Sequence, residues 1–142
     1  MSACLLGIRC RYDGSARELD IIQKIPGVIF IPVCPEQLGG LPTPRPEAFL
    51  IGGDGEAVIK GNAFVRDSQG RDVTRAFLKG ANTTHAIALE LKIAHALLKE
   101  RSPSCGTHKI MLGGDFQMGV GVTAAILKAM GVNLMNEDGL IR

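Results

Sequence analysis

Three apolar stretches of the chain end at or near a cysteine with proline or glycine close by. Val28 to Val33 is a continuous apolar run rich in β-branched residues, which predicts a strand buried on both faces and ending at Cys34-Pro35. Ile93 to Leu98 predicts a second strand that leads into Ser102-Pro103-Ser104-Cys105-Gly106. Ala3 to Leu6 is a very short apolar piece that contains Cys4 and stops at Gly7. Between them the spacing turns helical. Leu19, Ile22 and Ile25 predict a short helix over 16–24, stopped by Pro26-Gly27. Asp72 caps a longer helix with Val73, Phe77, Ala81, Ala88 and Leu91 among its apolar positions, and Gly80 is a weak point within it. A last helix opens at Gly119–Thr123, runs to Met130 and ends at Gly131.

The remaining segments complete the plan. Phe49–Ile51 and Ala57–Ile59 flank Gly52-Gly53-Asp54-Gly55 and read as a β-hairpin, with a further short strand over 62–66. The prolines and glycines between Cys34 and Pro46 specify an ordered loop. Lys109–Leu112 is ambiguous, and Val132–Met135 reads as a final strand. Strands alternating with helices imply right-handed crossovers. The expected fold is therefore α/β: a Rossmann-like parallel sheet flanked by helices, with a β-hairpin insertion, in one domain spanning 1–142.

Composition narrows the function classes. Apolar residues at 46% suffice for a true core, and a net charge of +2 gives no concentrated basic face for nucleic acid. With no Trp and Tyr12 the only tyrosine, there is no stacking platform for single strands. No stretch approaches the roughly 20 apolar residues needed to span a bilayer, and the first residues do not form a secretory signal. A cytoplasmic location is expected, and with it four thiols in place of two disulfides.

If the strands lie parallel, Cys4, Cys34 and Cys105 meet at the carboxyl edge of the sheet, where open α/β folds place their sites. Three converging thiolates suit a metal or cluster with one free coordination position, but the spacing alone equally allows buried core thiols. No Cys-x-x-Cys pair is present, which removes zinc ribbons and thioredoxin-type motifs. Cys10, between two arginines in a polar loop, reads as a partly exposed thiol outside this set.

The segments Ser-Ala-Cys-Leu-Leu-Gly, Arg-Tyr-Asp-Gly, Cys-Pro-Glu-Gln-Leu-Gly-Gly-Leu-Pro-Thr-Pro-Arg-Pro, Gly-Arg-Asp-Val-Thr, Ser-Pro-Ser-Cys-Gly and Gly-Val-Thr-Ala-Ala follow one another in this order. Together they resemble the thiouracil desulfurase family over nearly the whole chain. The resemblance implies an α/β fold and a [4Fe-4S] cluster held by Cys4, Cys34 and Cys105, with the fourth iron open to a thiocarbonyl sulfur. It also implies functional roles for Glu36 and Ser102. The substrate it implies is a thiolated nucleobase or nucleoside such as 2-thiouracil, desulfurated hydrolytically without redox change. Two departures stand out: the first strand is almost absent ahead of Ser2, and Gly113-Gly114-Asp115-Phe116 stands where an aromatic-containing turn is expected, so the resemblance does not define the pocket wall there.

The chemistry of the residues agrees with these roles. An open iron is a Lewis acid toward soft sulfur. Glu36, two residues past Cys34, is tethered near that site and can take a proton from attacking water. Ser102 can orient substrate or relay a proton. Arg45, in a proline-locked loop, is a candidate substrate contact, although a solvated surface arginine is the simpler reading. Gly119–Thr123 offers N–H groups at a helix start, although capping by the loop is the simpler reading. His85 and His95 read as packing or surface residues, and His108 as a loop residue near Cys105 with no metal role. Two rival functions follow: a non-enzymatic iron–sulfur or zinc module for sulfur delivery or redox sensing, and a Rossmann-like nucleotide-binding domain using Gly119–Thr123.

Overall fold

The computed structural model describes residues 1–20, 22 and 25–139. At the centre of the larger sheet is β1 (Ala48–Ile51), whose alternate residues Ala48 and Leu50 face the core. It pairs antiparallel with β2 (Phe64–Asp67), Ala48 opposite Asp67 and Ile51 opposite Phe64. On its other side it runs parallel to β4 (Lys109–Leu112) through Leu50 and Leu112, and β4 turns back antiparallel into β5 (Asp115–Met118). The smaller sheet pairs β3 (His95–Leu98) parallel with β6 (Asn133–Asn136). Chain-initial residues extend it: Ser2 N–H donates to Leu97 O at 2.9 Å, and Ala3 N–H donates to Val33 O at 2.8 Å. The helices are α1 (Pro35–Leu38), α2 (Gly55–Ile59), α3 (Thr74–Glu90) and α4 (Val122–Ala129).

The fold is α/β, as expected, but its sheet is mixed and not one parallel Rossmann-like sheet. Two misreadings account for the difference. The hairpin partner of β1 is β2, because Ala57–Ile59 belongs to α2. Asp54 caps that helix, its Oδ1 accepting the N–H groups of Glu56 at 3.1 Å and Ala57 at 3.3 Å. Asp54 thus turns the glycine segment into a helix start. The second misreading is Val28–Val33, which is not a strand: only Val33 forms a bridge, to Ser2, and Ile29 is 88% exposed. Pro32 lacks the N–H a ladder needs, and a continuous apolar run carries no information on what pairs with it. Ala3–Leu6 forms a 3-10 turn ended by Gly7, not a strand. Of the short helix expected over 16–24, Ala16 to Leu19 are not helical, and Ile21, Gln23 and Lys24 lie outside the described residues.

Gly80 is a requirement of packing, not a weak point. A Cβ there would lie 1.8 Å from Pro35 O, so α1 can rest on α3 only across a glycine. This contact brings the Cys34 segment onto the longest helix. Apolar packing continues in three buried groups. One, including Leu50, Val65, Phe77 and Ile110, lies under the larger sheet. A second holds Cys105 among Leu98, Ala124 and Leu127, and a third holds Cys4 and Cys10 with Leu5, Ile22 and Leu97. No helix among the described residues is long and apolar enough to cross a membrane.

Candidate functional site

The loop after β3 is built around its own polar groups. Ser102 Oγ accepts the N–H groups of Ser104 at 3.2 Å and Cys105 at 3.0 Å, which folds the Ser-Pro-Ser-Cys turn tightly. The first N–H groups of α4 then reach into this turn. Val122 donates to Pro103 O, Thr123 and Ala124 donate to Ser104 O, and Gly121 donates to Gly106 O, at 2.8–3.2 Å. Orphan donors at the helix start are thereby satisfied, as capping requires. The approach is so close that a Cβ on Gly121 would lie 2.4 Å from the Ser104 carbonyl carbon. Beneath the same loop sits the carboxylate of Glu100, 2% exposed. It accepts N–H bonds from Thr107, His108 and Lys109, a hydroxyl bond from Thr107 and an amide bond from Asn136. Burial acts to raise its pKa, but the bonds from Thr107, Lys109 and His108 outweigh it and hold the carboxyl below its usual range.

The opposite side is held by a side-chain clamp. Cys34 stands directly before α1, and Glu36 lies in the first turn of that helix. Arg45 Nε donates to Glu36 Oε2 at 2.6 Å, with side-chain exposures of 5% and 14%. The same guanidinium donates to Pro42 O, Thr43 Oγ1 and Cys10 O. Among the described residues Glu36 Oε1 has no such partner. Arg45 is therefore engaged by the protein itself, and Tyr12 O in turn accepts its backbone N–H at 2.8 Å.

Both sides face one cavity of about 290 Å³. Cys4, Cys34, Cys105, Glu36, Arg45 and Ser102 all line it, so the residues singled out in the sequence do come together. Cys10 lines it too. It is 2% exposed, not partly exposed, and its thiol interacts with those of Cys34 and Cys4. Arginines on either side suggested a surface loop, but the Cys10 carbonyl is tied to Arg45 and its side chain packs inward. All four cysteines are free thiols. The neighbouring Cys10 thiol and then burial push the Cys34 pKa far up. Burial pushes Cys105 up to about 12, while the Ser2 hydroxyl acts in the opposite direction. Thiols in such a setting become ligands when a cation binds and displaces their protons to solvent.

Other candidates fall outside the cavity. His108 is 68% exposed and contacts Thr107 and Asn136, while His95 is on the surface and His85 half-buried. The N–H groups of Gly119–Thr123 are all used within the chain, Val120 N–H going to Asp54 Oδ2, so the simple capping reading holds there. Sequence reasoning missed Ser2, Lys99, Glu100 and Tyr12 as lining residues. Tyr12, in Arg-Tyr-Asp-Gly, carried a signal in its motif. Glu100 carried none, because its partner Asn136 is 36 positions away.

The donor set suits a soft metal group: three thiols from three separate segments, around space enough for something larger than an ion. Among the described residues, no three Cys, His, Asp or Glu side chains close on a single point as ligands of one ion would. A cubane cluster makes a different demand, since each thiolate binds its own iron.

Comparison with known proteins finds relatives that match nearly the whole chain. The sequence matches the 2-thiouracil desulfurase family over residues 1–139. It is 43% identical over 144 aligned residues to the uncharacterized protein YbbK of Bacillus subtilis (strain 168), covering 99% of this chain and 95% of that one. Among solved structures, it resembles the [4Fe-4S]-dependent thiouracil desulfidase TudS with a TM-score of 0.76 and 36% identity, covering 99% of this chain and 90% of the other. With cysteines, carboxylate and serine gathered on one cavity and a match across almost the full sequence, the chain belongs to the 2-thiouracil desulfurase family.

Proposed function

We propose that this protein is a [4Fe-4S]-dependent desulfurase acting on thiolated pyrimidine bases or nucleosides by hydrolysis. The overall change is thiocarbonyl plus water to carbonyl plus hydrogen sulfide, with no net electron transfer. The observation that carries the proposal is the meeting of Cys4, Cys34 and Cys105 with Glu36 and Ser102 on one cavity. The three cysteines would hold the cluster, which when bound supplies a Lewis-acidic iron without a protein ligand for the thiocarbonyl sulfur.

The chain's own groups supply the rest. Arg45 holds Glu36 through Oε2 and leaves Oε1 to take a proton from attacking water. Ser102 Oγ is already an acceptor for two N–H groups, so its hydroxyl proton is free to be donated to the substrate ring. In this proposal Arg45 serves substrate through Glu36, because four of its five N–H groups are used within the protein.

Anaerobically reconstituted protein should contain about four iron and four labile sulfide per chain and release sulfide from 2-thiouracil. Stoichiometric zinc without labile sulfide would sink the proposal. One observation favours a second reading, a closed sulfur-delivery or sensor site: Cys10 is a fourth thiol on the same cavity. Four cysteine ligands would leave no iron open. The desulfurase reading expects Cys10→Ser to keep the cluster and the activity, and Cys4→Ser, Cys34→Ser and Cys105→Ser to lose it. The closed-site reading expects Cys10→Ser to lose the cluster as well.

A further inference from the structure

In the hairpin formed by β4 and β5 only Ile110 of β4 is buried, β5 is exposed along its length, and Met111 and Phe116 line the cavity. Ile110 is fully buried in the core under the larger sheet. Side chains alternate along a strand, so Met111 points the opposite way. Phe116 lies directly across from Met111 in the ladder, and cross-strand partners share a face. Both side chains line the cavity that holds the cysteines.

Phe116 stands out on two counts. It is 58% exposed, and it belongs to none of the three buried apolar groups. The chain is poor in aromatic residues, at 4%, and Phe77 is almost wholly buried in the core. An exposed aromatic ring outside the buried groups, on the same cavity as the thiols and Glu36, offers a flat apolar surface to whatever enters. Met111 beside it adds a polarizable thioether that adapts to a ring's outline.

We propose that Phe116, backed by Met111, is the specificity platform on which the aromatic ring of the substrate stacks. The inference rests on the proposed desulfurase function and adds to it the feature selected: a planar, π-conjugated heterocycle, as distinct from any thiocarbonyl. The platform comes from the hairpin that leads into α4, whereas the proposed chemistry comes from the Cys34 and Cys105 segments. Recognition of the ring and attack on its thiocarbonyl therefore reside on different parts of the chain.

The test uses the reconstituted holoenzyme and two probes without sulfur, uracil and 5,6-dihydrouracil. Their hydrogen-bonding groups match, but only uracil is aromatic. Calorimetric binding should show that wild type prefers uracil. Phe116→Ala should weaken uracil by about 5- to 150-fold, the range for losing one base–aromatic stack, and should abolish most of the preference. Phe116→Tyr, which keeps the ring, should restore it. Gln117→Ala, on the other face of the same strand, should bind as wild type does. With 2-thiouracil, the same loss should appear in KM, with kcat changed far less. Equal weakening of both probes by Phe116→Ala, an unchanged uracil affinity, or no uracil binding by wild type each overturns the platform. Sulfide release by wild type with Phe116-independent binding defeats this inference alone. Phe116-dependent uracil binding without sulfide release from any thiolated pyrimidine defeats the desulfurase proposal alone.

Discussion

The cavity has two walls, and they are built by opposite means. The Cys105 wall is held by backbone: Gly121 and the first three residues of α4 donate N–H groups into the loop, and a buried carboxylate gathers the N–H groups that follow. The Cys34 wall is held by side chains, chiefly one guanidinium that joins Glu36, Thr43 and two carbonyls. Backbone mounting tolerates changes of side chain but not of backbone shape. Side-chain mounting makes a single residue decisive, and it places the carboxylate that needs orienting beside the arginine that orients it. The proposed ligand loop and the proposed base would call for these different solutions.

Breaking the clamp should have the largest effect. Arg45→Met leaves the half-buried Glu36 without its partner, at a cost of up to about 3 kcal/mol in stability. Arg45→Lys should rescue only part, since an ammonium cannot match the planar fork. Urea denaturation of the three proteins measures this, and a loss below about 1 kcal/mol for Arg45→Met would reduce the pair to a surface contact. Glu36→Gln separates chemistry from mounting. It keeps a hydrogen-bonding side chain at that position but removes the base, so turnover should fall about a hundredfold or more while visible absorbance shows normal cluster content. Near-normal sulfide release would remove Glu36 from the reaction.

The backbone wall should respond to shape. Gly121→Ala places a methyl against the Ser104 carbonyl, which should cost about 1–3 kcal/mol and lower cluster retention. Ser104→Ala, which leaves every backbone bond of the turn in place but strips the buried Thr123 hydroxyl of its partner, should lower stability while retaining the cluster better than Gly121→Ala. If the two variants retain the cluster alike, the close approach at Gly121 is not what holds the loop. The smallest effect should appear with pH. The folded carboxyl of Glu100 lies below its ordinary value of 4.5. Its stabilisation is therefore complete above that value and is lost as pH falls through the lower, folded one. Stability measured between about pH 5 and pH 3 should fall less steeply in Glu100→Gln than in wild type, and parallel slopes would show that the carboxylate is not linked to folding.

Legibility from sequence followed the same division. The helices α3 and α4 and the strands β1, β3 and β6 carry their own signals in caps, stops and short apolar runs, and the motifs around Cys4, Cys34 and Cys105 point to the cavity these thiols share, though not to Cys10 beside them. Val28–Val33 failed because Pro32 outweighed its β-branched pattern and because pairing partners are invisible in a run. Ala57–Ile59 failed because Asp54 caps a helix where four residues rich in glycine suggested a hairpin. The burial of Cys10 depends on contacts far apart in the chain, and the Glu100 network joins the nearby Thr107–Lys109 backbone to the distant Asn136, a combination that no local pattern encodes. Gly80 shows the same limit: helix propensity marks it as a weakness, and only the position of Pro35 shows why an alanine would collide.

Ser2 is seated between Val33 and Leu97, and its hydroxyl accepts the Lys99 N–H from 97 positions away. This seat has a consequence for the order of events in synthesis. Cys4 leaves the ribosome early, but the strand that completes its surroundings is made roughly a hundred residues later. At about 5–20 residues per second, that interval lasts several seconds. During it the first thiol has none of the Cys105 wall beside it. The cavity lining is complete only once Phe116 has emerged, so a cofactor that needs all of these thiols has its site only after that point.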